Sequence, residues 1–290
     1  MIAVTAASGK LGALVLEGLM RVAPAGEIVA IARSPEKLAH LQERGVKVRR
    51  GDYSEFSTLG PSLAGVKRLL LISGMDLGQR VVQHRAVIEA AEAAGVELIA
   101  YTSLLRADVS RLPIAEEHRA TETLLRASKT PSVLLRNGWY IENYTERLAM
   151  NLAHGAFFGA AREGRIAAAA RVDFADAAVA VLTTEGHAGK TYELAGDHSF
   201  TMTDLAKAAS EWAERTMPYS DLPPAEYRKA LENAGVPKAF VDIAVETDLA
   251  IARGDLDSTR RDLHLLIGRN TKTLREVLAK TPKPPANRAA

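Results

Sequence analysis

Met1-Ile2-Ala3-Val4-Thr5-Ala6-Ala7-Ser8-Gly9-Lys10-Leu11-Gly12 opens the chain. Residues 2–5 form a short, mostly apolar run of the kind that makes a strand. From Lys10 the spacing changes, and Leu11, Leu14, Val15 and Leu19 fall on one face of a helix over 10–22. A strand therefore meets a helix across a turn that holds two glycines. Gly9 lets a backbone approach a pyrophosphate closely, and Gly12 lets the helix pack tightly on the strand. The free N–H groups of the helix N-terminus then face the phosphates. Where the three-glycine version of this turn has its first glycine, this chain has Ala6. That methyl matters most if the position needs a positive φ. Taken by itself, the turn also reads as an ordinary strand-to-helix connection.

The surrounding pattern decides between the two. Residues 28–32, 46–49, 66–72, 96–102 and 133–135 read as further strands. Between them, 35–44 reads as a helix with Ser34 as N-cap and Pro35 first. A second helix starts at Ser54 and ends near Gly65, a third spans 79–94 and stops at Gly95, and a fourth covers 115–127. Most of the strands are near-continuous apolar runs, as in a parallel sheet covered on both faces. The alternation predicts an α/β fold, a Rossmann-type doubly wound parallel sheet. Later, 140–154 and 173–183 read as helices, the latter with Asp173 as N-cap, and 191–194 as a short strand. From 202 to 278 the pattern is mostly helical, broken near Pro218, Pro223, Gly235 and Gly254. We expect a dinucleotide-binding core over 1–136 and a disordered tail over 281–290. The segment 137–280 would supply a sheet edge and a smaller, mostly helical substrate lobe.

Composition narrows the partners. The net charge is +2 with the signs interspersed, so no basic stripe suggests nucleic acid. There is no cysteine, which removes disulfides and thiolate chemistry. No apolar stretch approaches the roughly 20 residues of a membrane helix. The strand-like start predicts no signal peptide, and these features together predict a cytoplasmic protein. No His, Asp and Glu cluster has metal-ligand spacing, so no metal is expected.

The end of the second strand specifies the dinucleotide. An NAD site places an acid there for the ribose 2′-hydroxyl. This chain places Arg33, then Ser34 and, one turn on, Lys37. A guanidinium pairs with a 2′-phosphate, so the expected cofactor is NADPH. Arg33 as a solvated loop charge is the other reading. Asp52 and Tyr53 follow the third strand, beside the expected adenine position; Asp52 is equally suited to capping the next helix.

With these residues in view, the chain resembles the NmrA-like atypical short-chain dehydrogenase/reductases. It is most similar to the bacterial NAD(P)H:quinone oxidoreductases of the second type, and next to triphenylmethane reductases. The segments that carry the resemblance are MIAVTAASGKLG, IVAIARSPEK, KRLLLISG, GQRVVQHRAVIEAAEAAGV, IAYTSLLRAD, LLRNGWYIENY, HGAFFGAA, KTYELAGD and LIGRNTKTL. LLRNGWYIENY is the most specific of them. The resemblance implies an NADPH-dependent reductase of quinones or related electrophilic acceptors. It implies a nucleotide held by Ser8, Gly9, Lys10, Leu11 and Gly12, by Arg33, Asp52 and Tyr53, by Ser73-Gly74-Met75 and by Thr102. A homodimer is compatible with it. The chain departs from the family at Ala6, and at Gly74-Met75, where relatives have small polar residues.

The Tyr-x-x-x-Lys pair of typical short-chain dehydrogenases is missing, since none of the seven tyrosines has a lysine four positions on. Thr121 stands where isoflavone-reductase-like relatives carry a catalytic lysine. Quinone reduction survives this loss, because a quinone is already electrophilic and hydride transfer to it rests on proximity and orientation. Asn137, Trp139, Tyr140 and Asn143 follow the sixth strand, at the carboxyl edge where ligands of open α/β sheets bind. The aromatic rings suit stacking on a flat acceptor and the amides suit a carbonyl. Trp139 and Tyr140 equally suit a core joining two lobes. His118 reads as a packing or surface residue ahead of a proton donor. The missing pair and Ala6 leave a second function open, a non-catalytic sensor of NADP(H).

Overall fold

The computed structural model describes residues 1–283; the last part of the predicted tail, 284–290, lies outside the described residues. In chain order the strands are β1 (Ile2–Val4), β2 (Ile28–Ala32), β3 (Lys47–Arg50), β4 (Arg68–Leu71), β5 (Leu98–Leu104), β6 (Ser132–Asn137), β7 (Phe157–Gly159), β8 (Thr191–Leu194) and β9 (Tyr219–Asp221). The helices of the first half are α1 (Lys10–Leu19), α2 (Ala39–Glu43), α3 (Leu59–Ser62), α4 (Arg80–Ala93) and α5 (Ala115–Ala127). Those of the second half are α6 (Glu142–Thr145), α7 (Leu148–His154), α8 (Arg171–Thr183), α9 (Met202–Ala213), α10 (Pro224–Asn233), α11 (Lys238–Ala252), α12 (Asp262–Ile267) and α13 (Leu274–Lys280).

Seven strands form one parallel sheet in the order β3-β2-β1-β4-β5-β6-β8. The strand order reverses between β1 and β4, the switch point at which open α/β sheets bind ligands. Alternation within each strand shows why the runs are apolar throughout. Val4, Leu70 and Ala100 join a core with α1 and α8, while Ala3, Leu69, Leu71, Ile99 and Tyr101 join the opposite core with α3 and α4. A third core under the helical lobe gathers Leu148, Leu152, Leu205, Met217 and Ile251. Beside it β7 and β9 pair in parallel as a separate two-stranded sheet. Among the described residues, no helix is long and apolar enough to cross a membrane.

Several local expectations need correction. Ser34 makes no side-chain cap, and the predicted helix 35–44 divides into a 3-10 turn, Pro35–Leu38, followed by α2. Ser54 caps no helix; its N–H donates to Asp52 Oδ1, so the chain turns there before a 3-10 turn, Phe56–Thr58, and α3. The predicted helix 140–154 is broken. Tyr140 bridges to Ala169 in strand fashion and the Ile141 N–H donates to the Ala169 carbonyl, so helix begins only at Glu142 and breaks again before Leu148. Asp173 lies inside the first turn of α8, where its carboxylate receives the Lys272 N–H and the Arg269 guanidinium. An aspartate at a helix start reads as a cap when its tertiary partners, nearly a hundred residues away, are not visible.

Candidate functional site

Ala6 adopts φ +48°, in the left-handed region. Its carbonyl accepts the Gly9 N–H at 2.9 Å, which closes the turn after β1. A Cβ on Gly9 would lie 3.1 Å from that same oxygen, and one on Gly12 would lie 2.5 Å from it and 2.9 Å from Ala7 Cα. Those obstacles are backbone atoms, so nothing larger than glycine fits at Gly12 without opening the turn. The departure at Ala6 therefore lies at a strained position: an L-residue there costs about 1 kcal/mol relative to glycine. Helix α1 then starts with Gly9 as an N-cap that supplies no side chain. The N–H groups of Lys10, Leu11 and Gly12 have no acceptor among the described residues. Three convergent donors at the positive end of a helix fit a pyrophosphate.

Arg33 and Lys37 are exposed at the end of β2, and neither side chain has a hydrogen-bond or ion-pair partner among the described residues. Tyr53 is half-buried in the loop after β3. Its hydroxyl lies 2.5 Å from Thr5 Oγ1 and donates to the Ile72 carbonyl at 2.8 Å, so it ties the loop after β3 to β1 and β4. Burial pushes its pKa up. Asp52 accepts the Ser54 N–H through one oxygen, which is the capping reading, though what it caps is a turn. The Ser73 N–H donates to Thr102 Oγ1 at 2.9 Å, joining the ends of β4 and β5. The Gly74 N–H donates to His84 Nε2 at 3.0 Å, and Met75 stands 87% exposed, with its side chain available to whatever lies above the loop.

Beneath that loop is a buried aromatic row. His84 Nδ1 lies 3.0 Å from Thr121 Oγ1, which itself donates to the Glu117 carbonyl. Because His84 Nε2 accepts from Gly74, its proton sits on Nδ1. His84 also meets the rings of Tyr53 and Tyr101 edge-on. His118 Nδ1 pairs with the Tyr101 hydroxyl at 2.8 Å. Burial, helped by the nearby Arg80 charge, lowers the pKa of both His84 and His118 to about 3. His118 is thus a neutral packing residue, and the row supplies no acid at neutral pH.

Further along the sheet, Asn137 closes β6. Its Nδ2 donates to the Tyr140 hydroxyl at 3.3 Å, while its buried Oδ1 has no partner among the described residues. Tyr140 packs on the sheet core, edge-on to Phe174, with the Arg171 guanidinium 5.2 Å from its ring centre. Burial raises its pKa, so the hydroxyl keeps its proton. Trp139 packs instead on the core of the helical lobe. The two aromatic residues do join the lobes, yet both keep part of their surface exposed. Asn143 is half-buried and its side chain is unpartnered among the described residues. A cavity of about 700 Å³ lies nearby, lined in part by Glu142, Glu146, Leu148, Ala170 and Trp212, and by none of Asn137, Trp139, Tyr140 or Asn143.

Glu142, Glu146 and Arg171 also belong to this neighbourhood and carry no sequence signal. Glu142 accepts the Arg171 N–H with both oxygens, and Glu146 pairs with Lys10 and Arg171. A lone acid on a helix reads as a solvated charge, and its partners lie 25 or more positions away. Taken together, the α1 donors and the cations after β2, all without partners among the described residues, fit a dinucleotide with a 2′-phosphate laid across the switch point.

Comparison with known proteins agrees with this geometry. A family model described as NAD(P)H-binding matches residues 6–185. The chain is 46% identical over 276 residues to quinone oxidoreductase 2 of Escherichia coli (strain K12), covering 95% of this chain and 96% of that one. It superposes with a TM-score of 0.93 on the crystal structure of NADPH-dependent quinone oxidoreductase QOR2 from Escherichia coli complexed with NADPH, over 96% of this chain and 99% of that one. Triphenylmethane reductase from Citrobacter sp., complexed with NADP(H), is 37% identical with a TM-score of 0.92, over 97% of this chain and all of that one.

Proposed function

Since the chain belongs to the NAD(P)H-binding family, we propose that it is an NADPH-dependent reductase that passes hydride to a quinone or a similar conjugated acceptor. The observation that carries this reading is the likeness, along nearly the whole chain, to a quinone oxidoreductase solved with NADPH. In this reading residues 1–136 serve the cofactor, and 137–280 complete the sheet edge and supply the acceptor lobe.

When bound, NADPH supplies the hydride. The protein's share is placement. The N–H groups of residues 10–12 hold the pyrophosphate, and Arg33 with Lys37 receives the 2′-phosphate. Ser73, Gly74 and Thr102 fix the floor between β4 and β5. Asn137 and the protonated Tyr140 hydroxyl, coupled at 3.3 Å, orient an acceptor oxygen. The row of groups near α5 explains the acceptor class. Thr121 has its hydroxyl engaged by His84 and Glu117, and both histidines are neutral. A ketone needs a strong proton donor as hydride arrives. Among the described residues Tyr140 has no lysine partner and its phenol is held above its ordinary pKa by burial, and neither histidine is charged. A quinone takes hydride first and completes its hydroquinone with a proton from water.

The test is the loss of NADPH absorbance with benzoquinone, against NADH and enzyme-free controls. Saturable turnover that prefers NADPH is expected. Tight NADPH binding with no turnover across quinone, triphenylmethane-dye and azo acceptors would instead return the sensor reading.

A further inference from the structure

Glu146, at the junction of α6 and α7, reaches across to the nucleotide half of the molecule. Its Oε2 lies 2.6 Å from Lys10 Nζ, and its Oε1 accepts from Arg171 Nη1 at 2.9 Å. Lys10 is the first residue of α1, so its side chain leaves the helix at the end whose N–H groups, residues 10–12, have no partner among the described residues. Arg171 opens α8, is itself buried, and lies over the Tyr140 ring. One carboxylate thus connects the phosphate turn to the group that backs the proposed acceptor site.

We propose that Glu146 is an affinity-setting residue of the cofactor site, competing with the dinucleotide's pyrophosphate for the Lys10 ammonium. This rests on the cofactor reading above. Lysine is a flexible point charge with three donors, able to leave one anion for another. Lys10 and Glu146 are both substantially exposed, so their pair contributes little stability and yields easily. Glu146 is not stranded when Lys10 turns away, because Arg171 continues to hold it. The exchange therefore has a low internal cost, but it leaves a carboxylate close to an arriving polyanion. That repulsion loosens the bound nucleotide and quickens its exchange after turnover.

The experiment titrates the full-length protein with NADPH, following the fluorescence of the reduced nicotinamide. Glu146→Gln removes the charge and keeps the shape. At low ionic strength it tightens NADPH about three- to tenfold, the scale of one partly screened charge pair. The gain shrinks as salt is added, and it shrinks when Lys10 is already Met. Glu17→Gln, the same change of charge on the far part of α1 where Glu17 pairs with Arg44, leaves the Kd unchanged. Unchanged or weaker NADPH binding by Glu146→Gln overturns the proposal, as does equal tightening by Glu17→Gln. Failure of the unaltered protein to bind NADPH removes the cofactor reading itself, which the other outcomes leave standing.

Discussion

The turn after β1 and the segment after β6 both follow strands of the one parallel sheet and are built by different means. The turn is backbone: Ala6 holds a positive φ, its carbonyl accepts the Gly9 N–H, and Gly12 leaves room for the backbone of Ala6 and Ala7. The segment after β6 is side chain: an amide on a phenol, a guanidinium over the phenol's ring, and acids from α6 holding the start of α8. A backbone site binds any ligand with the right charge and shape. A side-chain site discriminates among ligands, and a single substitution can retune it. Cofactor use should therefore be the harder property to change, and acceptor choice the easier.

Gly12→Ala is the strongest probe of the contrast. Its Cβ would strike backbone atoms of Ala6 and Ala7, so affinity for NADPH should fall about a hundredfold or the soluble yield collapse. Near-normal binding would show that the turn tolerates opening. Arg33→Glu comes next. It replaces a charged hydrogen-bond donor by a repelling acid, and should raise the KM for NADPH ten- to a hundredfold with little change for NADH. Equal effects on both nucleotides would make Arg33 a solvated loop charge. Tyr140→Phe tests the segment after β6 more gently than truncation, which would open a cavity against Phe174. It should lower kcat about three- to tenfold while the NADPH Kd stays the same; an unchanged kcat would leave Tyr140 as core alone.

Acid should probe the buried aromatic row. The folded protein holds His84 and His118 near a pKa of about 3, against 6.5 ordinarily, so the unfolded chain binds more protons between those values. Stability is then full above about pH 6.5 and falls progressively as pH drops toward 3. Urea unfolding at pH 7 and pH 5 measures it, and His118→Gln should flatten the slope. Asp248, raised to about 6 by burial, works in the opposite direction. The smallest expected effect is Ala6→Gly. Relief of the left-handed strain exceeds the added freedom of the unfolded chain, for a net gain of about 0.5 kcal/mol.

The same contrast explains what the sequence discloses. The turn, the doubly wound parallel sheet and the cations after β2 follow from local patterns: a change of period at Lys10, unbroken apolar runs, a basic residue where an acid would suit NAD. The reach of Tyr53 to Thr5 and Ile72, and that of Glu146 to Lys10, depend on contacts across many residues, and no local period encodes them. Helix starts failed for the same reason. Asp173 and Tyr140 carry ordinary local signals, and tertiary partners at Lys272, Arg269 and Ala169 override them.

The three N–H groups of α1 that have no partner among the described residues have a consequence for the protein's lifetime. A fold that leaves donors open at its ligand's position is completed by that ligand, and a ligand held only by the native state adds to native stability. At a hundred times its Kd the added stability is about 2.7 kcal/mol. Molecules carrying nucleotide would then open more rarely and meet proteases less often. The abundance of the protein would rise and fall with the reducing power available to it, without any regulator reading that supply.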